Sequence, residues 1–157
     1  KDAAGNKATS RRKITVTHSD ADTKELLKKF ADKIGSNDPL TIMKYVRKNI
    51  KYNHNWGGDD PVWYGFTNKV GNCYVHALCL KALYDARGIE SRLIWVTNQS
   101  HYWLLVNLGT SENPNWKHID PTPSNIHGRY YEPMNDAQRY ETLSGRDWDR
   151  NQWPVCE

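Results

Sequence analysis

The sequence predicts an α+β protein in which helices come first along the chain and an antiparallel sheet follows. Apolar residues recur at helical spacing around residues 24–34 and 39–50, and again over 73–86. From residue 91 onward the spacing changes to the alternation that is typical of strands. At 157 residues the chain is long enough to bury one core, so we expect a single domain over residues 14–157.

The first two predicted helices carry ordinary start and stop signals. The first is ended by Gly35, because glycine readily adopts the left-handed conformation found at helix ends. The second starts at Pro39 with Asp38 as its N-cap, since Pro suits the first turn and Asp can accept a hydrogen bond from the N–H groups there. We expect each helix to turn one face to the core, formed by Leu26, Leu27, Phe30 and Ile34 and by Ile42, Tyr45, Val46, Asn49 and Ile50.

Residues 52–72 separate these helices from the next one and are rich in Trp, Tyr, Gly and Asn. We predict a long connection here, and connections of this length in compact domains are commonly functional. Aromatic side chains such as Trp56 and Trp63 have enough apolar area to pack against the rest of the protein. They either cover the helices or line a binding groove, and the sequence leaves both open.

The third predicted helix runs from Cys73 to Ala86 and is apolar around most of its surface. We therefore expect it to be buried, with its N-terminus left open, and Gly88 provides its stop signal. Three strands follow, joined by a polar turn and a polar loop, and they are predicted over Ser91–Val96, His101–Leu108 and Trp116–Asp120. The buried helix packed on this antiparallel sheet completes the predicted architecture.

Three residue types that together activate a thiol stand at the ends of these elements. Cys73 begins the third helix, where the free N–H groups and the helix dipole favour a thiolate over a thiol. His101 begins one strand and Asp120 ends the next, and an antiparallel hairpin brings those positions together, about 5 Å apart if they lie opposite each other. The imidazole could take the thiol proton, and the carboxylate could hold the imidazole in place.

Four short motifs together resemble the transglutaminase-like superfamily, whose core is similar to that of papain-like cysteine enzymes. They are Gly71-Asn72-Cys73, Gly88-Ile89-Glu90-Ser91-Arg92, His101-Tyr102-Trp103 and Trp116-Lys117-His118-Ile119-Asp120-Pro121-Thr122. The resemblance covers residues from about Tyr45 to Thr122. It implies that Cys73 is the nucleophile, His101 the general base and acid, and Asp120 the orienting carboxylate.

Other residues near these motifs are candidates for contact with a substrate. Asn72 is a plausible neighbour of an acyl oxygen, although the Cys73 backbone N–H is the expected oxyanion donor. The resemblance implies that an upstream Trp or Gln can supply a second donor, and Trp56 and Trp63 both remain open for that role. Trp103, within the His101 motif, is a further substrate-binding candidate.

A metal site is the weaker interpretation of the same region. A Cys-x-x-His pair and a His-x-Asp pair could together hold zinc in principle, and they are formed by Cys73, His76, His118 and Asp120. The paired Cys-x-x-Cys motifs that are typical of zinc sites are absent. We therefore expect neither a metal nor a cofactor. We place His76 on the exposed first turn of the helix and His118 at the wall of the pocket. A disulfide between Cys79 and Cys156 is possible, but Cys79 lies on the apolar face of the helix.

The resemblance implies acyl transfer at amide or peptide bonds through a thioester, and it constrains the chemistry more than the substrate. We expect a peptidase or amidase that acts on cell-surface or wall peptides. One alternative is a transglutaminase that cross-links protein glutamines. Another is a cell-wall or carbohydrate-binding module without catalysis, which the 7 tryptophans would suit but the complete set of Cys, His and Asp does not favour.

Charge and motifs bear on partners and location. Residues 1–52 carry 13 Lys and Arg against 6 Asp and Glu, a balance of +7 within a total of +4. We interpret residues 1–13 as a basic tail or linker and the chain as part of a larger precursor, with no nucleic-acid motif and no apolar run that could span a membrane. The sequon Asn98-Gln99-Ser100 precedes His101, where a glycan would obstruct the site. We therefore expect a secreted or surface-exposed bacterial protein, with a cytoplasmic one as the alternative.

Overall fold

A computed structural model describes residues 18–98, 100–123, 133–143 and 146–157. The predicted basic tail, residues 1–13, lies outside these residues, as does the predicted start of the domain at residue 14. Among the residues described, none of the helices is long and apolar enough to cross a membrane.

The fold is α+β, as predicted. The helices are α1 (Asp20–Ile34), α2 (Pro39–Asn49), α3 (Pro61–Asn68), α4 (Cys73–Ala86) and α5 (Asp136–Thr142). The strands are β1 (Lys51–Tyr52), β2 (Val70–Gly71), β3 (Ser91–Trp95), β4 (Tyr102–Asn107) and β5 (Trp116–Ile119). The predicted cap of α2 is present, since Asp38 Oδ2 accepts the Thr41 N–H at 2.8 Å.

Helix α4 lies at the centre of the molecule. It packs against α1, α2 and α3 on one side and against β3 and β4 on the other. Its inner residues are fully buried, among them Val75, Leu80 and Leu83. The apolar surface predicted for this helix is therefore covered by helices on one side and by the sheet on the other.

The sheet is antiparallel, with β4 between β3 and β5. Leu104 and Val106 of β4 join the core around α4, whereas Trp103 and Leu105 belong to a second core on the opposite face. That second core is completed by residues from the C-terminal part of the chain: Leu143, Trp148 and Cys156. Both faces of the sheet are thus buried, and α5 contacts β5 at its edge.

Residues 52–72, predicted as one long connection, contain more regular secondary structure than expected. They contain α3, and β1 pairs in parallel with β2 at their two ends. Helix α3 starts with the same Asp-Pro signal as α2, because Asp60 accepts the Trp63 N–H at 2.8 Å and Pro61 follows the cap. Its length of 8 residues and Gly65 near its middle conceal the apolar periodicity that would have predicted it.

Two glycines allow α4 to lie close against the preceding chain. A Cβ on Gly71 would lie 2.4 Å from the Val75 side chain, and a Cβ on Gly65 would lie 2.5 Å from Cys79 Sγ. Cys79 and Cys156 are both free thiols, so the disulfide that the sequence left open is not formed. Cys79 packs as a small apolar side chain, as its position on the helix indicated.

Candidate active site

Cys73 occupies the first position of α4. Asn72 caps the helix, because its Oδ1 accepts the Val75 N–H at 3.1 Å and its backbone carbonyl accepts the His76 N–H at 3.0 Å. Cys73 is 8% exposed, so the residue is largely shielded from bulk water. A helix N-terminus favours negative charge, so the position suits a thiolate.

His101 lies immediately before β4 and Asp120 immediately after β5, so the two residues meet at one end of the sheet. The distance from His101 Nε2 to Asp120 Oδ2 is 2.7 Å. The strand register pairs Leu104 with Ile119, which places Asp120 diagonally across from His101. The two residues therefore meet at one end of the strand pair, as predicted, but their side chains make contact across the diagonal, where backbones are about 7–8 Å apart, and not across a directly opposite pair.

The Cys73 thiol is hydrogen-bonded to the His101 ring and to the Tyr102 backbone N–H. Burial opposes ionisation of Cys73, but the hydrogen bond and positive charge of His101 outweigh it and hold the pKa of the thiol below its ordinary value. Burial also disfavours the charged imidazole, but the Asp120 carboxylate and the thiol raise the pKa of His101 to about 9. These opposite shifts both favour the ion pair of a thiolate and an imidazolium over the neutral pair.

Asp120 is buried, and every oxygen it carries is engaged. Oδ2 accepts from both His101 Nε2 and Arg139 Nη2, the latter at 2.8 Å. Oδ1 accepts the Thr122 N–H at 2.9 Å, and the backbone carbonyl accepts from Arg47 Nη1 at 3.1 Å. The carboxylate is thus held by His101, by the loop after β5 and by α5, while α2 holds the backbone carbonyl.

The charges around Asp120 decide its ionisation. Burial alone would raise the pKa of Asp120, but the positive charges of His101 and Arg139 and the hydrogen bonds hold this pKa well below its usual range. The two neighbours of His101 act in opposite directions, since Asp120 raises the pKa of the imidazole and the Arg139 guanidinium lowers it.

Trp103 stacks on the His101 ring. The two ring centroids are 5.8 Å apart with planes inclined by 20°, and the Arg139 guanidinium lies 4.3 Å from the Trp103 ring centroid. Trp103, predicted as a substrate-binding candidate, is fully buried and is not among the residues that line the cavity beside Cys73. Its side chain instead fixes the position of the imidazole and the guanidinium.

A second group of potential metal ligands lies behind Trp103, and its chemistry does not fit a metal ion. The ligand atoms of His118, Asp136 and Cys156 lie within 4.8 Å of one another. Trp103 Nε1 donates to His118 Nδ1 at 2.8 Å, which leaves the ring proton on Nε2, 2.7 Å from Asp136 Oδ1. Burial, against the hydrogen bond to Asp136, lowers the pKa of His118 to about 4. The neutral ring therefore offers a metal no lone pair at Nε2.

The residues considered as a zinc set are not brought together as one group: Cys73, His76, His118 and Asp120. The prediction that His76 lies on an exposed turn is also wrong, because His76 is fully buried. Its ring nitrogens lie 2.8 Å from the Asn72 carbonyl oxygen and 2.9 Å from the Ile50 carbonyl oxygen. His76 joins the start of α4 to the end of α2, so it is a structural residue.

An aromatic cavity of about 560 Å³ opens beside the start of α4. It is lined by Trp56, Asn72, Tyr74, Leu93, Trp95 and Tyr102. Of the two tryptophans that the sequence left open, Trp56 lines this cavity, whereas Trp63 is stacked on the His18 ring with centroids 4.2 Å apart. Asn72 lines it too, although its Oδ1 is engaged as the helix cap.

Arg139 and most of the residues that line the cavity were not predicted from the sequence. Arg139 lies on a helix of 7 residues, and nothing in its local sequence relates it to Asp120. The position of Tyr102 could have been predicted, because it shares a strand face with Leu104, and this face packs on α4. The alternation of side chains along β4 predicts that Tyr102 faces the first turn of α4.

Cys, His and Asp in this chain order, on a helix start and at a sheet end, define the arrangement found in papain-like proteins. The family model of the transglutaminase-like superfamily matches residues 20–121, which is more than half of the chain. The chain therefore belongs to the transglutaminase-like superfamily, as its motifs predicted.

Among solved structures the chain is similar to a proposed cysteine protease from Cytophaga hutchinsonii, with 20% sequence identity and a TM-score of 0.49. The match covers 64% of this chain and 37% of that protein, so the chain spans little more than a third of its length. No curated protein matches the sequence.

Proposed function

We propose that this protein is a cysteine-dependent peptidase or amidase that breaks amide bonds through a thioester on Cys73. The observation that carries the proposal is the continuous path of contacts from the Cys73 thiol through the His101 ring to the buried Asp120 carboxylate. In this proposal Cys73 is the nucleophile, His101 the general acid and base, and Asp120 the group that orients His101.

The first half of the reaction forms the thioester. The Cys73 thiolate attacks the carbonyl carbon, and the negative charge that develops on oxygen is stabilised by the Cys73 backbone N–H at the helix start. The C–N bond then breaks while His101 transfers its ring proton to the leaving nitrogen. An amine departs, and the acyl group remains on sulfur beside a neutral imidazole.

The second half releases the acyl group. His101 takes a proton from water, and the resulting hydroxyl attacks the thioester carbon. The C–S bond breaks, a carboxylic acid leaves, and the thiolate and imidazolium are restored. If an amine replaced water, the same step would form a new amide bond, which is the reaction of a cross-linking transglutaminase.

The groups around His101 have positioning roles in this proposal. Asp120 binds Nε2, so Nδ1 is the ring nitrogen left to face the thiol. Arg139 binds the same carboxylate oxygen and keeps it ionised, and Trp103 stacks on the imidazole ring. These contacts hold the imidazole in the single orientation that can serve both proton transfers.

Peptides of a bacterial cell surface or wall are the proposed substrate class. The positive balance of residues 1–52 supports this, because basic surfaces concentrate near anionic polymers. The substrate remains a peptide in this proposal whether the acyl acceptor is water or an amine.

One experiment separates the three functions considered. The protein is incubated with glutamine-containing and wall-type peptides together with a labelled primary amine, and peptide cleavage, ammonia release and amine incorporation are measured. We expect hydrolysis to exceed incorporation and Cys73→Ala to abolish both. Incorporation in excess of hydrolysis would assign a transglutaminase. Binding of wall polymer that is equal in Cys73→Ala, with no turnover by either protein, would assign a binding module.

A further inference from the structure

The aromatic cavity is lined by residues that flank Cys73 in the chain or contact its thiol. Asn72 and Tyr74, which flank Cys73 in the chain, both line it. Tyr102 lines it as well, and the Tyr102 backbone N–H is hydrogen-bonded to the Cys73 sulfur. A molecule that presents a carbonyl to this sulfur would therefore place an adjoining group at the mouth of the cavity.

The cavity walls are aromatic and held in place by one another. The Tyr74 and Tyr102 rings pack edge to face with centroids 5.0 Å apart, and Trp95 lies directly across the strand pair from Tyr102. Trp153 packs edge-on against Trp95 at 5.7 Å and supports it from behind. These contacts leave a preformed space between rings, so little ordering is needed when a ligand enters.

The chemistry of the lining selects among possible occupants. None of the six lining residues is charged, so a charged side chain would lose its hydration there without gaining an oppositely charged partner. A sugar would need several directional hydrogen bonds, yet the Asn72 side-chain oxygen already serves as the helix cap. A volume of about 560 Å³ between aromatic rings suits a large apolar side chain.

We propose that this cavity is a binding subsite for an aromatic or large aliphatic side chain of the peptide substrate, next to the amide bond that Cys73 attacks. The inference rests on the proposed function and specifies its substrate class. Trp56 forms the outer wall, and it is 59% exposed. Stacking of a substrate side chain on this indole would cover apolar surface that now faces water.

The test uses irreversible peptidyl chloromethyl ketones, because their reaction with a thiol needs no turnover. The two residues nearest the ketone are varied in turn among Phe, Leu, Ala, Asp and Lys, and the second-order rate of Cys73 modification is measured by mass spectrometry. We expect Phe or Leu at one of these positions to react at least about tenfold faster than Asp or Lys. Trp56→Ala should remove most of that preference.

Trp63→Ala is the matched control, because Trp63 is a nearby tryptophan that does not line the cavity. It should keep the preference for apolar side chains. Equal rates for Phe and Asp reagents at both positions, or a preference that survives Trp56→Ala unchanged, would overturn the subsite. Chloroacetamide, which has no side chain, reports on the proposed function separately. A Cys73 that reacts with it no faster than an ordinary thiol would overturn the nucleophile assignment and with it the subsite.

Discussion

The Arg139 guanidinium and the Asp120 carboxylate form an ion pair that is closed to water on both sides. Nη2 lies 2.8 Å from Oδ2, and the exposed fractions of the two side chains are 0% and 1%. The same Oδ2 atom binds His101 Nε2 at 2.7 Å, so one carboxylate oxygen connects the imidazole to a buried positive charge. Because Arg139 lies on α5 and Asp120 follows β5, the geometry of the site depends on the docking of the C-terminal helix.

The pH dependence of the rate should have an alkaline limb set by His101. Its pKa is raised to about 9, so the ring holds the proton needed by the leaving amine below that pH and loses it above. On the acid side the pKa of Cys73 is lowered, so the acid limb should lie below the pH at which an ordinary thiol ionises. Measurement of kcat/KM against pH tests this. A fall in rate centred on the ordinary imidazole pKa, about 6.5, would contradict it.

Substitution of Arg139 should move that alkaline limb in a defined direction. The guanidinium lowers the pKa of His101, so Arg139→Met should shift the limb to a pH above that of the wild type. It should also lower the rate and destabilise the fold by about 3–5 kcal/mol, because Asp120 loses a buried partner.

Arg139→Lys is the control for charge at this position. It keeps the positive charge, so its alkaline limb should stay close to that of the wild type even if the loss of the paired N–H geometry lowers the rate. Equal limbs in Arg139→Met and the wild type would show that Arg139 supports the fold but does not act on His101.

Asp120→Asn should lower kcat by roughly 10³-fold or more, because the amide cannot replace the carboxylate in either orientation. If the amide oxygen accepts from His101 and Arg139, the amide NH2 faces the Thr122 N–H, and if the amide is flipped, its NH2 faces the other two donors. Circular dichroism would confirm the fold. Asp136→Asn, in the second His–Asp pair, is the control and should retain most activity. Near-normal turnover of Asp120→Asn would show that another group orients the ring.

Gly71→Ala should destabilise the protein by about 1–3 kcal/mol, because the new Cβ meets the Val75 side chain at the start of α4. Chemical unfolding would measure this change. In the double variant Gly71→Ala/Val75→Gly every side-chain atom that the new Cβ meets is removed, so its free energy of unfolding should exceed the additive expectation by more than about 0.5 kcal/mol. Strict additivity of the two changes would contradict the proposed close contact.

The parts of the fold with regular spacing and clear end signals could be predicted from the sequence. Helix α4 has the predicted bounds, Cys73–Ala86, because it is apolar throughout and is bounded by Asn72 and Gly88. The strands β3 to β5 lie within the predicted ranges, since alternation marks strand positions well. Helix α3 was missed because one turn-prone Gly in a short segment outweighs its Asp-Pro start signal.

Within the candidate site, only the contact between residues at the ends of neighbouring strands could be predicted from the sequence. The meeting of His101 and Asp120 follows from hairpin geometry, but the diagonal register depends on the conformation of the loop at residues 108–115, which periodicity does not determine. Arg139 reaches Asp120 through tertiary packing of a short helix, and Trp103 turned out to be buried because the C-terminal segment covers its face of the sheet. Neither relationship leaves a local pattern in the sequence.

The reactivity of Cys73 as a function of pH tests the central claim most directly. The protein is treated briefly with iodoacetamide over a range of pH, and modification of each cysteine is measured by mass spectrometry. At about pH 6.5 we expect rapid labelling of Cys73 and very little of the other two, because burial raises the pKa of Cys156 to about 12 and that of Cys79 further. His101→Ala should slow the labelling of Cys73 at this pH. Labelling of Cys73 that rises only near pH 9, and is the same in His101→Ala, would contradict an imidazole-activated thiol.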